Sequence, residues 1–342
     1  MFNKNGTILI TSLWIIAILS ILAIGIGFRI SLEARLSKYN MDRLKALYLA
    51  KAGVVKSQGL LSKDTKPDYD SIYECGIALS GEDDPDKIFM NVELSESAEG
   101  SFSVSYKEED PASPGKMLDY PGMMDEERKI NINTAPKEAL EKLPGITDEI
   151  ASSIMDWRDT DDALQPNGAE NSYYQSLEHP YVCKNGNFSA IEELLLVRGM
   201  DQTIFEGIKD YITIYGAGKF NINTAHREVL IAFFTAFGGA DRTLEETVVD
   251  KITNYRNGTD GQKGTKDDNI FIDTNIESVV PGLSANEAAI IGNLKNYFTI
   301  ESNYFRIESK GIIDRPKIEK RIVSVATKND GGNFELVSYR EY

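Results

Sequence analysis

Residues 7–28 read TILITSLWIIAILSILAIGIGF, without one charged side chain. A run of about 20 apolar residues is the length a helix needs to cross the hydrocarbon core of a bilayer. A cleaved secretory signal has a shorter apolar region, about 7–15 residues, and a small-residue exit. Here the run is longer and ends at Arg29. Helical spacing continues past it. Leu32, Leu36, Tyr39, Leu44, Leu47, Tyr48 and Val55 predict an apolar stripe that reaches Leu61. An unbroken helix over 7–61 would be a rod on the order of 80 Å at 1.5 Å per residue. Gly25 and Gly27 are its expected weak points, since each costs about 1 kcal/mol relative to Ala in a helix.

Composition narrows what the rest can do. The chain has 342 residues, 37 Lys+Arg and 53 Asp+Glu, for a net charge of −16. Electrostatic attraction to nucleic acid or anionic lipid is therefore not expected. Beyond the anchor the length suffices for one large or two modest domains. Cys75 and Cys183 fit no zinc pattern, and pairing or staying reduced are both open. Enzyme chemistry finds no support. His179 and His226 lie far apart without a Ser or Cys elbow, and no Gly-rich phosphate loop is present.

Strand signals flank a helical middle. Phe102, Val104 and Tyr106 alternate with serines, and Arg128 to Asn133 reads as a second strand. Asp125 and Glu126 before it read as a solvated hairpin turn. Near the end, Phe298, Ile300, Tyr304 to Ile307, Ile312 to Ile313 and Ile318 to Ala326 alternate, with a turn at Gly311, Asp314 and Pro316. Strands before and after helices predict one sheet interrupted by an insertion.

The middle contains a repeat. NINTA stands at 131–135 and again at 221–225, each time before a helix. In both copies Thr reads as an N-cap, Pro136 as a first-turn residue, and Glu138 and Glu228 as first-turn acids that suit the helix dipole. Pro144-Gly145-Ile146, Arg198-Gly199-Met200 and Val280-Pro281-Gly282-Leu283 read as tight helix-to-helix turns. The predicted helices carry Ile150, Ile154 and Trp157 inward, then span Ile191 to Val197, Ile204 to Ile212 and Ala288 to Phe298. This is a helix-hairpin-helix pattern.

Acids gather between these turns. Asp156, Asp159, Asp161 and Asp162 precede a Pro166-Asn167-Gly168 turn, then Glu170 and Asn171 follow. Calcium takes six to eight oxygens from carboxylates, amides and carbonyls, often in loops. Asp159, Asp161, Asp162, Glu170 and Asn171 are the candidate ligands, with a solvated acidic loop as the other reading. The stretch is not an EF-hand, for no Gly stands at the sixth position from Asp159. A second loop offers Asp260, Asp267, Asp268 and Asn269, with Asp273 close behind. Its two lysines dilute it, and a solvated loop is the better reading there.

The leader MFNKNG before the apolar run resembles that of type IV pilins and pseudopilins. The resemblance implies cleavage by prepilin peptidase after Gly6, leaving Thr7 as the mature first residue. Most of these families carry Glu five residues into the mature chain, where it neutralises a neighbouring amine. Thr11 stands there instead, and this is similar to the protein K family of type II secretion systems. NINTA, the Gly168-Ala169-Glu170 loop with Tyr173 and Tyr174, and FTIESNYFRIESKG near the end resemble the same family, although Asn171 replaces its usual Asp.

That resemblance implies an α+β fold: a long N-terminal transmembrane helix packed on a pseudopilin-type sheet, with an inserted all-α domain of helix-hairpin-helix-like units. The divisions would be a leader at 1–6, a membrane span at 7–28 within a helix at 7–61, a first α/β part at 62–132, the insertion at 133–297 and closing strands at 298–342. It implies a minor pseudopilin at the tip of the pseudopilus, assembled with I- and J-type minor pseudopilins and the major pseudopilin. The protein would sit in the bacterial inner membrane with its bulk in the periplasm, with calcium as cofactor.

NINTA followed by LPGI is also similar to competence DNA receptors. That makes a membrane-anchored DNA-binding protein the rival reading. Phosphate contacts need Lys or Arg at the turns. Thr147-Asp148-Glu149 follows Gly145, Asp201 follows Met200, and Glu287 follows Asn286, so nucleic acid is not the expected partner.

Overall fold

The computed structural model describes residues 4–63, 68–73, 84–95, 99–109, 115–239, 242–329 and 333–342, with side chains from Ile8 onward. Helix α1 runs without interruption from Lys4 to Leu61, through Gly25 and Gly27. A cost of about 1 kcal/mol per glycine is small beside leaving backbone groups unpaired in lipid. The helix is long and apolar enough to cross a membrane, with a mean hydropathy of 2.6 in its most apolar window. None of that window is covered by the other described residues.

After a short helix α2 (Pro85–Phe89) come β1 (Gly100–Glu109), β2 (Met117–Pro121) and β3 (Met124–Asp125). A helical section follows. The chain then returns as β8 (Tyr304–Ile313), β9 (Ile318–Lys328) and β10 (Phe334–Glu341). These strands form one antiparallel sheet in the order β10-β9-β8-β1-β2, with β3 pairing β8 beyond the end of β1. Ser103 and Ser105, on the side of β1 away from Phe102 and Val104, are buried as well. Gly311 is not in a turn: β8 is continuous from Tyr304 to Ile313.

The second half of α1 packs on this sheet, but not by the stripe of large residues. Its buried face is Asp42, Ala46, Leu49, Ala50, Val54, Ser57 and Leu61, while Leu36, Leu44, Tyr48 and Val55 are exposed. The reason is closeness. A Cβ on Gly311 would lie 1.9 Å from the Ala46 carbonyl oxygen, and one on Gly53 would lie 2.2 Å from Ser309 Oγ. Helix and strand meet almost backbone to backbone, so small residues face the sheet. Phe102, Val104, Phe305, Ile307 and Ile322 complete this core.

The helical section is two copies of one plan. The first has β4 (Ile130–Asn131), α3 (Lys137–Leu140), α4 (Asp148–Arg158), α5 (Asn171–Gln175), a 3-10 turn over Ile191–Leu196, α6 (Gln202–Ile208) and β5 (Ile212–Thr213). The second has β6 (Phe220–Asn221), α7 (Arg227–Phe237), α8 (Arg242–Arg256), a 3-10 turn over Ile276–Ser278, α9 (Ala285–Leu294) and β7 (Phe298–Thr299). In each copy the first and last strands pair in parallel. The strand predicted over Arg128–Asn133 is thus only two residues long and belongs to this section. Glu126–Arg128 before it forms a 3-10 turn. Ile212, read as helical, also lies in a strand, as does Phe298, read both as the end of a helix and as the first of the alternating residues.

The repeated side chains do repeated work. Asn131 and Asn221 each accept the backbone N–H two residues on, from Asn133 and Asn223. Asn133 exchanges two hydrogen bonds with the Phe188 backbone, as Asn223 does with Phe271. Thr134 and Thr224 are not N-caps. The cap positions belong to Pro136 and His226, without side-chain capping bonds, because the Asn side chains already close the turn. Gly145, Gly199 and Gly282 have φ of +77°, +81° and +72°, the left-handed turn that favours glycine.

Candidate cation site

Helix α4 buries Ile150, Ile154 and Trp157 as its apolar spacing predicts, and Thr147 caps it by accepting the Ile150 N–H. Asp156 and Asp159 are one helical turn apart at its C-terminal end, so they project from one face. The following loop folds back through Asn167, at φ +66°, and brings Glu170 over them. One oxygen from each of Asp156, Asp159 and Glu170 lies within 4.8 Å of the others.

The cluster is short of hydrogen-bond donors. Asp156 is fully buried and accepts the Gln165 N–H at 3.1 Å. Among the described residues neither oxygen of Glu170 has a hydrogen-bond partner, nor does Oδ1 of Asp159, and all three atoms are buried. Burial, then the charges of Asp156 and Asp159, pushes the Glu170 carboxyl up to about 7. Burial also raises Asp156 and Asp159, with the neighbouring carboxylates adding to it. A buried acid without a donor is costly. A divalent cation would satisfy all three acids, and a hard cation such as calcium suits an all-oxygen set completed by carbonyls and water.

Of the five nominated ligands, the structure brings Asp159 and Glu170 together. Asp161 Oδ1 accepts the Ala163 N–H at 2.8 Å, and Asp162 Oδ1 accepts from Asn185 Nδ2 at 3.0 Å. Asn171 Oδ1 accepts from Gln175 Nε2 and the Cys183 N–H. Asp156 was not among the nominated residues. Its signal was the i, i+3 spacing to Asp159, masked by its place on the inner face of an amphipathic helix.

The site rests on an aromatic floor, with Trp157 edge-on to Tyr174 at 5.1 Å and near-parallel to Phe188 at 6.4 Å. Arg198 holds its rim, donating to the Gly168 carbonyl at 3.0 Å, pairing with Glu149 at 2.6 Å and lying over the Tyr173 ring. Cys183 is buried with Sγ 3.9 Å from the Asp156 carbonyl, and burial raises its thiol pKa. Cys75 lies outside the described residues, as does the side chain of Thr7.

The second acidic loop spends its acids on itself. Asp267 accepts from Thr259 N–H and Oγ1, the Asp260 N–H and Thr265 Oγ1, which hold it well below the usual carboxylate range. Asp268 accepts the Gly264 N–H, Asp260 the Gln262 N–H, and Asn269 donates to the Tyr255 carbonyl. Lys263 of this loop pairs with Glu108 of β1 and stands 4.8 Å from the Tyr120 ring centre. The loop therefore clips the second helical copy to the sheet. At the α4 positions Asp156 and Asp159 the second copy has Asn254 and Asn257, on either side of Arg256.

The sequence model of the type II secretion system protein K family matches residues 134–217, the first helical copy with the acidic cluster. A solved chain in a crystal structure titled as the GspK-GspI-GspJ complex from the enterotoxigenic Escherichia coli type 2 secretion system covers 90% of this chain. It does so over 99% of its own length, at a TM-score of 0.61 and 18% identity, which is a likeness of fold. The chain is thus similar to the protein K family, by sequence over residues 134–217 and in fold along most of its length. The Aeromonas hydrophila type II secretion system protein K is 28% identical over 200 residues, 56% of this chain and 53% of that protein. A putative protein K of Escherichia coli K12 is 34% identical over 79 residues, 23% of this chain and 24% of the relative. The Klebsiella pneumoniae protein K is 22% identical over 250 residues, 71% and 73%. The first two matches thus span about half or less of those relatives' lengths.

Proposed function

We propose that this chain is a minor pseudopilin of a type II secretion system, working by assembly and not by catalysis. The observation that carries this reading is the two-sidedness of α1. The face with Ala46, Ala50 and Gly53 at its closest approach is used by its own sheet, and a second apolar face with Leu36, Leu44, Tyr48 and Val55 is left outside. Met41, Leu44, Tyr48 and Leu94 line an apolar groove of about 510 Å³ beside the start of β1. Helices of neighbouring subunits suit such a surface, since burying apolar area returns about 25 cal/mol per Å². I- and J-type minor pseudopilins are the proposed neighbours, with the major pseudopilin below. Thr11 in place of an acid, and the bulk of the helical section, favour the tip position.

In this reading prepilin peptidase cleaves after Gly6, α1 anchors the chain in the inner membrane, and residues 62–342 stand in the periplasm. Residues 133–297 are the inserted domain of helix-hairpin-helix-like units, kept for packing. Calcium occupies the Asp156–Asp159–Glu170 cluster. Nucleic acid is not a partner, for Arg198, the basic residue at a turn, is engaged with Glu149 and Gly168.

The test is photo-crosslinking in membranes of cells carrying the full set of pseudopilins. A crosslinker at Tyr48 should yield adducts with the I- or J-type proteins, and one at the buried Ala46 should not. Equal yields, or none at Tyr48, would overturn the reading.

A further inference from the structure

Five consecutive charged residues, Asp125 to Lys129, are all buried, none more than 7% exposed. They were read as a solvated turn and the start of a strand, yet they sit where the sheet hands the chain to the helical section. The other two connections end on them as well. Glu127 accepts from the Asn303 and Tyr304 N–H groups at the return to β8, and from Ala217 in the link between the helical copies. Asp125 accepts from Ser302 Oγ at 2.7 Å, from Thr224 of the second NINTA and from the Glu127 N–H.

The charges are balanced unevenly. Glu126 has Lys129 at 3.2 Å and Arg306 at 3.9 Å, with Thr213 Oγ1 at 2.8 Å. Arg128 pairs with Glu108, which also takes Lys263. Among the described residues no Lys or Arg forms an ion pair with Asp125 or Glu127. They are adjacent acids held by neutral donors at the one place where all three connections meet.

We propose that Asp125 and Glu127 form a proton-operated lock on the crossing between sheet and helical section. With a proton on the pair the connections are held together, and with both acids ionised the crossing loosens. The direction follows from burial. Burial, then the charge of Asp125, pushes Glu127 up to about 7, and burial raises Asp125 too. A carboxyl raised on folding contributes stability that is present below its unfolded value and lost as pH rises through the folded one. Of the surrounding charged groups, Arg128 acts on Asp125 and Asp70 is bonded to the Ser302 N–H. Glu126, Glu108 of β1, Lys129 and Arg306 of β8 pair among themselves and with Arg128, and His226 and Arg256 of the second copy lie near Arg128. Burial, and then Arg128, Lys129 and Arg256, holds His226 well below the ordinary imidazole value, so it is neutral throughout this window.

The experiment is hydrogen–deuterium exchange on the full chain in detergent, corrected for the chemical effect of pH on exchange. Between about pH 6 and about pH 8.5, protection of segments 214–219 and 301–304 should fall about tenfold. The Glu170 cluster titrates in the same range, so the readout is taken locally at the crossing. Glu127→Gln should remove most of the dependence, and Asp125→Asn should reduce it. Against its burial, Lys129 and Arg306 hold Glu126 below the usual value, so Glu126→Gln should keep the dependence. Unchanged corrected protection in the unaltered protein, or full dependence in Glu127→Gln, would overturn the lock.

Discussion

Gly168 lies so close to Asp156 that a Cβ on it would stand 2.0 Å from Asp156 Oδ2. The acidic loop can close over the end of α4 because this residue has no side chain. Gly168→Ala should therefore push the loop off Asp156 and separate Glu170 from the other two acids. The expected result is loss of calcium-induced stabilisation, read by thermal melting, and a destabilisation of about 1–3 kcal/mol from the clash. Retention of the calcium shift would place the cation elsewhere.

Calcium should raise the melting temperature of a chain beginning at Arg29, which keeps the α1 face that packs on the sheet. Binding only the folded state adds about 2.7 kcal/mol at a hundredfold excess over Kd. Asp156→Asn with Glu170→Gln should abolish the shift and leave the metal-free melt unchanged or raised, since Glu170, which lacks a donor, and the buried Asp156 beside it are both neutralised. Magnesium should act less, because it demands a tight octahedral shell.

The same cluster gives a pH dependence with a definite sign. Glu170 is raised from the ordinary 4.5 to about 7 on folding, and Asp156 is raised with it. Metal-free stability is thus fullest below the unfolded value and falls as pH rises through about 7. Calcium needs the ionised acids, so its effect grows over the same interval. The gap between melts with calcium and with chelator should widen steadily from about pH 5 to about pH 8. A gap that narrows would contradict the cluster as the site.

Gly311→Val tests how α1 meets the sheet. Its Cβ would lie 1.9 Å from the Ala46 oxygen and 2.6 Å from the Ala50 nitrogen, backbone atoms that cannot move aside. Loss of about 3 kcal/mol or more, or failure to fold, is expected in urea unfolding. A near-neutral result would mean that α1 does not pack there.

Mass measurement of membrane-extracted protein should show a mature N-terminus at Thr7, and Gly6→Val should leave the full-length form. A native chain beginning at Met1 would remove the pseudopilin reading. In the same preparation, duplex DNA should not shift at low salt, where phosphate contacts are strongest.

Much was legible wherever local chemistry and final structure ask for the same residue. The apolar helix through 7–28, the left-handed glycines of the three turns and the inward face of α4 all follow from spacing and backbone sterics. So did the presence of acids at 156–170. What spacing does not show is which face another element will cover. The large stripe of α1 stayed outside because Gly53 and Gly311 admit only small partners. Thr134 and Thr224 cap nothing, because Asn131 and Asn221 close the turn and the cap positions fall to Pro136 and His226. Asp125 and Glu126 looked solvated because charge ordinarily implies water, and only long-range partners, Thr224 and Ser302 for Asp125 and Thr213 and Arg306 for Glu126, make their burial tolerable. Asp156 joined the cluster that is short of donors, and the acids of the 257–269 loop found donors, for the same reason. Whether a carboxylate is satisfied or left open depends on donors brought from distant sequence, and these meet only in the folded chain.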